Sequence, residues 1–195
     1  AYETVAKDHK LPLLQPMSQV AGVLACQYGA HYLQKKHGGF GVTLGHIDGA
    51  QSALTVIVGA GIVGRTAAVT AGGMGGKVAL LDINKKVLEQ AKKEITKKLG
   101  AVLSRNVTCQ LSNDRILTQW VKKADLLIGA VLIPGRKAPQ VVSEKMIKAM
   151  KKGAVVVDVS IDQGGCIWGS RPTTHRHPIY DLEGKIFCCI TNMPG

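Results

Sequence analysis

A chain of 195 residues has room for one α/β domain with a substantial core, and its 46% hydrophobic share with 23 glycines suits a parallel sheet, whose strands read as continuous apolar runs. Five cysteines, odd in number and without C-x-x-C spacing, speak for a reducing compartment and against a disulfide frame or a zinc site, so no metal is expected. With 25 basic and 13 acidic residues the net charge is +12, which raises nucleic-acid binding, but the densest basic cluster has no interleaved aromatics for base stacking.

No apolar run reaches the ~18 residues that a membrane helix needs, since Arg65 interrupts the best candidate, and the first residues lack a signal-peptide layout. The expectation is a soluble cytoplasmic protein with neither a membrane nor a nucleic-acid partner. The chain starts at Ala1 without an initiator Met, which reads as processing or as a piece of something longer.

Residues 1–15 are polar and then turn-like, with Pro12 and Pro16 bracketing Leu13-Leu-Gln15. From Met17 to about Lys35 apolar or small residues fall on nearly every face, including Val20, Ala21, Leu24, Ala25 and Tyr28, which predicts a helix buried on several sides between two domains. Ser18 sits in its first turn, where a hydroxyl ordinarily caps. The glycine-punctuated stretch 35–45 ends the helix, with a short strand expected near Val42. His31, His37 and His46 have no ligand spacing and read as surface or packing residues. Residues 1–50 thus form an interdomain segment, and 51–195 a dinucleotide-binding domain.

That domain is organised around Leu54-Thr-Val-Ile-Val-Gly-Ala-Gly-Ile-Val-Gly64. A β-rich run enters Gly59-x-Gly61-x-x-Gly64, a helix-compatible segment follows, and a second run, Val78-Ala-Leu-Leu-Asp82, ends on an acid. This is the pattern of a βαβ dinucleotide site. Gly59 allows the tight turn, Gly61 lets a pyrophosphate approach the backbone around Ile62 and Val63, and Gly64 lets helix and strand pack closely. The helix N-terminus supplies unpaired N–H groups and a positive dipole end. Asp82, 18 residues beyond Gly64, can accept from a ribose diol and repels a 2′-phosphate, which favours NAD(H) over NADP(H).

Strands are expected at 54–58, 78–82, 107–110, 125–130, 154–159 and 186–190, and helices at 61–74, 84–99, 113–123 and 143–151. The lysine pairs at 85–86, 92–93 and 97–98 alternate with Leu88, Ala91, Ile95 and Leu99, so they form the solvated side of an amphipathic helix. Six strands joined by crossovers predict a doubly wound, mostly parallel Rossmann sheet of order 3-2-1-4-5-6, with the ligand crevice at the carboxyl ends of strands one and four. The later strand ends then face the nicotinamide half: 128–135, Val157 to Gly165, and Ile190 to Gly195. Asp162 can orient a reacting group or water, or else cap the turn before Gly164-Gly165. Asp158, within the strand, reads as a structural partner.

In this order the motifs resemble the L-alanine dehydrogenase family. The matching pieces are Pro12-Leu-Leu-Gln-Pro-Met-Ser18, Val58-Gly-Ala-Gly-Ile-Val-Gly64, Ala124-Asp-Leu-Leu-Ile-Gly-Ala-Val-Leu-Ile-Pro-Gly135, Val157-Asp-Val-Ser-Ile-Asp-Gln-Gly-Gly-Cys166, Gly169-Ser-Arg-Pro-Thr-Thr174 and Asn192-Met-Pro194. They cover nearly the whole chain. The resemblance implies interconversion of L-alanine, NAD and water with pyruvate, ammonia and NADH. It implies that Ser18 and Ser112 contact the cofactor, that Asp82 holds the adenosine ribose, and that Val131 and Leu132 line the nicotinamide side. Val159, Ser160, Ile161, Arg171 and the turn Ile190, Thr191, Asn192 and Met193 are further implied contacts, and Asp162 matches the catalytic aspartate.

Two departures stand out: Val87 occupies a position where the family carries Lys or Arg, and the lysine-rich segment after Asp82 looks longer. The family's substrate-binding arginine and lysine and its acid/base histidine belong to a split second domain with no counterpart here. The expectation is therefore the cofactor half of a homo-oligomeric enzyme, which meets its small-molecule substrate only with that domain and is not competent alone. The alternatives are the first domain of a proton-translocating transhydrogenase, which carries Glu-Ala-Gly-Gly where this chain has Asp162-Gln-Gly-Gly165, and a non-catalytic basic binding module.

Overall fold

Leu54–Val58, five residues without a charge, makes β1 and is buried beyond its first residue. The computed structural model describes residues 14–133 and 135–195; the turn expected around Pro12, and Pro134 of the strand-four motif, lie outside them. The parallel strands follow as β2 (Lys77–Asp82), β3 (Val107–Leu111), β4 (Leu126–Gly129) and β5 (Val155–Asp158). A hairpin of β6 (Ile179–Leu182) and β7 (Lys185–Cys188) completes a sheet of order β3-β2-β1-β4-β5-β7-β6.

The expected order 3-2-1-4-5-6 holds once β7 is recognised as the sixth parallel strand; the seventh, β6, is an addition at the edge and runs antiparallel to β7. Its turn consists of Glu183 and Gly184 at φ 57° and 72°, two left-handed residues that match the twist of a tight hairpin.

Helices cover both faces of the sheet. α1 (Leu14–Tyr32), α2 (Ile62–Gly73) and α3 (Lys85–Leu103) bury Ala25, Ala67, Ala71, Leu88 and Ile95 against Ile57, Leu80 and Val157 on one face. α4 (Asp114–Lys123) and α5 (Glu144–Lys148) bury Leu117, Val121, Met146 and Ile147 against Val56, Leu81 and Val156 on the other. Alternate residues of one strand thus enter different cores, which is why the strands are apolar throughout. Each fully buried Leu, Ile or Val is worth roughly 1.5–3 kcal/mol.

α1 differs from expectation. It runs three residues earlier, and its buried positions form a single stripe, Ala21, Gly22, Ala25, Cys26, Gly29 and Tyr32, while Val20 on the opposite side is 43% exposed. The stripe lies directly on α2: a side chain at Gly22 would meet the Val63 carbonyl oxygen at 2.6 Å, and the Cys26 thiol donates to the Ala67 carbonyl at 3.3 Å. The strand expected near Val42 reduces to one bridge between Thr43 and Ser52.

Caps set several boundaries. The Asn84 side chain accepts from the N–H groups of Lys86 and Val87 at the start of α3, and Ser143 accepts from Met146 at the start of α5. The regular helix of α3 breaks where expected, after Leu99: Gly100, at φ 73° and ψ 176°, is non-helical, and a short second helical stretch follows to Leu103. Among the described residues no helix is long and apolar enough to cross a membrane.

Candidate functional site

The turn out of β1 is held by three glycines for three different reasons. Gly59 has φ 103°, and a side chain there would also run into the Ala130 carbonyl after β4. A side chain at Gly64 would strike the Gly59 carbonyl oxygen, so α2 can lie close to β1 only without one. Gly61 is different: its φ is −66°, open to any residue, and a side chain there would meet nothing within 4 Å. It stands at the N-terminus of α2, where no side chain caps the helix. Ile62 and Val63, both half-buried, form the first helical turn behind it. An uncapped helix N-terminus behind an open glycine can hold a phosphate group.

Asp82 ends β2 beside this turn. Its carboxylate accepts the Ala60 N–H at 2.7 Å and the Asn84 N–H at 2.8 Å. Ser112 follows β3, and its N–H donates to the Asp82 carbonyl at 2.8 Å, which sets the serine next to the acid. The two thus flank one half of a crevice at the carboxyl ends of the strands, and Asp82 can accept a diol there.

The other half is a cleft between α1 and the loops after β4, β5 and β7. Met17 and Ser18 come from α1, and Val63 from α2. Val131 and Leu132 follow β4, while Val159, Ser160 and Asp162 follow β5. Asn192 and Met193 close it from the loop after β7. Its walls are largely apolar, and Ser160 lies at its edge with a hydroxyl that is buried and has no hydrogen-bond partner.

Asp162 lies at the mouth. Both its carboxylate oxygens accept from the Asn192 N–H, at 3.0 and 3.3 Å, and Asn192 is left-handed at φ 47°. The carboxylate therefore ties the β5 and β7 ends together rather than capping the turn before Gly164-Gly165. That turn is built on Asp158 at the end of β5. Asp158 is fully buried and accepts from the N–H groups of Ser160, Cys166 and Ile167 at 3.0, 2.9 and 3.1 Å and from the Ser170 hydroxyl at 2.7 Å. Burial pushes its pKa up, and the Ser170, Ile167, Cys166 and Ser160 hydrogen bonds pull against that rise. The structural role expected of Asp158 is what the geometry gives it.

Not every expected residue reaches the cleft with its side chain. Ile161 and Ile190 are 4% and 1% exposed and point into the two cores, so they present backbone only. The Thr191 hydroxyl donates back to the Thr173 carbonyl at 3.3 Å. Arg171 is exposed beyond the cleft lining, with its guanidinium carbon 4.1 Å above the centre of the Tyr180 ring.

Sequence reasoning missed two participants. Gln163 anchors the loop after β4, its carbonyl accepting the Ala138 N–H at 2.8 Å and its side chain the Ile133 N–H at 3.4 Å. Tyr180 lies on the overlooked β6. The Ile-Tyr-Asp-Leu alternation before Glu183-Gly184 was the available clue. Among the described residues no cluster of His, Cys, Asp and Glu is arranged to hold a metal.

The sequence matches the family described as "Alanine dehydrogenase/PNT, C-terminal domain" over residues 25–195. An alanine dehydrogenase of Methanococcus maripaludis is 50% identical over 197 aligned positions, which take in 100% of this chain and 51% of the relative. A solved L-alanine dehydrogenase superposes with a TM-score of 0.89 at 42% identity, covering 100% of this chain and 52% of the other. A transhydrogenase of Sinorhizobium meliloti shares the fold, with a TM-score of 0.72 at 24% identity over 93% of this chain and 48% of its own. The chain spans about half the length of the curated relatives it matches. Its nucleotide-type turn, its strand order and these matches agree, and the chain belongs to the alanine dehydrogenase/PNT C-terminal domain family.

Proposed function

We propose that this chain is the NAD(H)-binding half of an L-alanine dehydrogenase, which converts L-alanine, NAD and water to pyruvate, ammonia and NADH. The observation that carries the reading is Gly61. Neither its backbone angles nor its neighbours require a glycine, so the reason for one lies outside the chain, in a group that approaches the backbone where a methyl would stand.

The rest of the site fits such a group. The first turn of α2 and Gly61 would hold the pyrophosphate, Asp82 and Ser112 the adenosine ribose, and the cleft of Ser18, Val131, Leu132, Ser160 and Met193 the nicotinamide end. Asp82 carries a negative charge where a 2′-phosphate would sit, which favours NAD(H) over NADP(H). When bound, the cofactor supplies a hydride acceptor. Asp162, at the cleft mouth, holds water or an amine by accepting its proton in a hydrogen bond, and the apolar walls exclude bulk water. Alanine itself requires groups that bind its carboxylate and a base on its amine; by resemblance these belong to a second, split domain, and homo-oligomeric assembly in the cytoplasm belongs to the same reading. The transhydrogenase alternative retains a shared fold. The basic-module alternative rests on lysines that line the exposed side of α3 while Leu88, Ala91 and Ile95 are buried.

The test is a titration of the chain with NADH, followed by nicotinamide fluorescence, for wild type and Gly61→Ala. Saturable binding that Gly61→Ala weakens roughly tenfold or more, with an unchanged melting temperature, supports the reading. An indifferent Gly61→Ala, or steeply salt-dependent RNA binding without NADH binding, would overturn it.

A further inference from the structure

We propose that the cavity between α3 and β3 is a second ligand site, which takes a small anion of the phosphate class, whether the free ion or the phosphate of a small organic molecule. It shares no residue with the cofactor cleft, and the inference does not depend on the cofactor reading.

The break in α3 builds this cavity. Ile95 and Thr96 follow Lys92 by three and four residues, so the three share one face of the helix. Gly100 then turns the chain, and the tight turn Ser104–Asn106 brings Ser104 and Arg105 back to the same cavity. Val107 and Cys109, alternate residues of β3, complete it from the sheet. Ile95 is buried, Ser104, Val107 and Cys109 are half-buried, and Lys92, Thr96 and Arg105 stand exposed around them.

Two cations, two hydroxyls and no carboxylate line this space. Among the described residues neither Lys92 nor Arg105 is in an ion pair, and Glu94, an acid of the same stretch of α3, is held by Arg65 and Lys98. Lys92 acts on the interior: burial pushes the Cys109 thiol up, and the Lys92 ammonium pulls against that rise. Two cations without a partner acid repel each other, and an anion between them removes that cost. A guanidinium fork with an ammonium and hydroxyl donors matches the several oxygens of a phosphate. The volume of about 280 Å³ is far more than one water needs and lies just below the roughly 300–1,000 Å³ of sites for drug-sized ligands. A close-packed domain keeps few voids of this size. No aromatic ring lines it to stack a base, so the occupant is a small anion and not an RNA strand.

Cys109 serves as the reporter, since the other four cysteines are buried. The experiment measures how fast neutral iodoacetamide alkylates Cys109, read from the mass of its peptide, while inorganic phosphate, pyrophosphate or AMP is added at constant ionic strength balanced with chloride. Each rate is expressed relative to the same variant without anion, because losing Lys92 alters the thiol itself. Saturable slowing of about threefold or more by at least one probe is expected, and Lys92→Gln and Arg105→Gln each move its midpoint about tenfold or more to higher concentration. Both side chains are exposed, and thermal melting checks that the variants fold. Slowing by inorganic phosphate identifies the free ion as sufficient, whereas slowing by AMP alone identifies a phosphate carried on an organic body. No slowing by any probe up to about 20 mM, equal slowing by chloride, or slowing that both charge variants retain overturns the proposal. Slowing that disappears in Gly61→Ala overturns it too, because the anion then acts from the turn after β1. Failure of the chain to bind NADH rejects the cofactor reading and leaves this result standing.

Discussion

The carboxylate of Asp82 accepts the backbone N–H of Ala60 at 2.7 Å, so the acid that ends β2 also closes the glycine-rich turn that ends β1. Its second oxygen accepts from Asn84, the residue that caps α3. A residue assigned to a ligand is here also a clamp between two strand ends. Asp82→Ala is accordingly expected to lower stability by about 1–3 kcal/mol in the absence of any nucleotide, as two backbone donors lose a charged acceptor. Urea denaturation would show it as a lower midpoint at an unchanged m-value. An unshifted midpoint would mean that the clamp contributes nothing to the fold.

Asp158 provides a second case. Three N–H groups and one hydroxyl converge on a carboxylate with no exposed surface. An amide of the same shape offers one acceptor oxygen and places an NH₂ against donors. Asp158→Asn is expected to cost roughly 3 kcal/mol, and to speed hydrogen exchange at the amides of Cys166 and Ile167 far more than at β1. Unchanged exchange at those two amides would contradict the assignment.

Glu94 offers a pH-dependent prediction. It bridges Arg65 of α2 at 2.9 Å and Lys98 of its own helix at 2.9 Å. Partial burial pushes its carboxyl up, but the Lys98 hydrogen bond and the Arg65 and Lys98 charges together pull it below the ordinary value of 4.5. A folded-state pKa below the unfolded one contributes stability above pH 4.5 that is lost as the pH falls through the depressed value. Because the pair is partly solvated, Glu94→Gln should cost only about 0.5–1 kcal/mol at pH 7 in low salt. The difference from wild type should shrink towards pH 3 and in roughly 1 M salt. A deficit independent of pH would point to packing instead of charge.

What could be read from the sequence followed from how sharply each feature depends on local order. β1, β2, β4 and β5 are apolar on both faces, so their position was legible to within a residue or two. β6 was not: its burial alternates between exposed and intermediate, and its turn pairs Glu183 with a glycine, where Asn or Asp would have announced a hairpin. The break after Leu99 was legible in Gly100, whose φ 73° and ψ 176° no helix accommodates, while the short helical stretch beyond it was not. The stripe of α1 was obscured by Val20, Leu24 and Tyr28, apolar positions outside the most buried face. The glycine-rich turn was legible because the φ of 103° at Gly59 is a local requirement. The Asp162 partner, Asn192, is 30 residues away, and no spacing rule in a single chain links them.

The strand order also governs when the protein becomes itself during synthesis. β1 lies between β2 and β4, and β4 begins only at Leu126, so one edge of the central strand stays open until synthesis has passed that residue. The first three strands with α1, α2 and α3 can collapse early around one face. The cleft draws its far wall from residues after β4, β5 and β7, including Asn192 and Met193 close to the last residue described. Within this domain it is therefore among the last parts to assemble, and whatever occupies it adds its binding energy to the docking of the later strands onto the earlier ones.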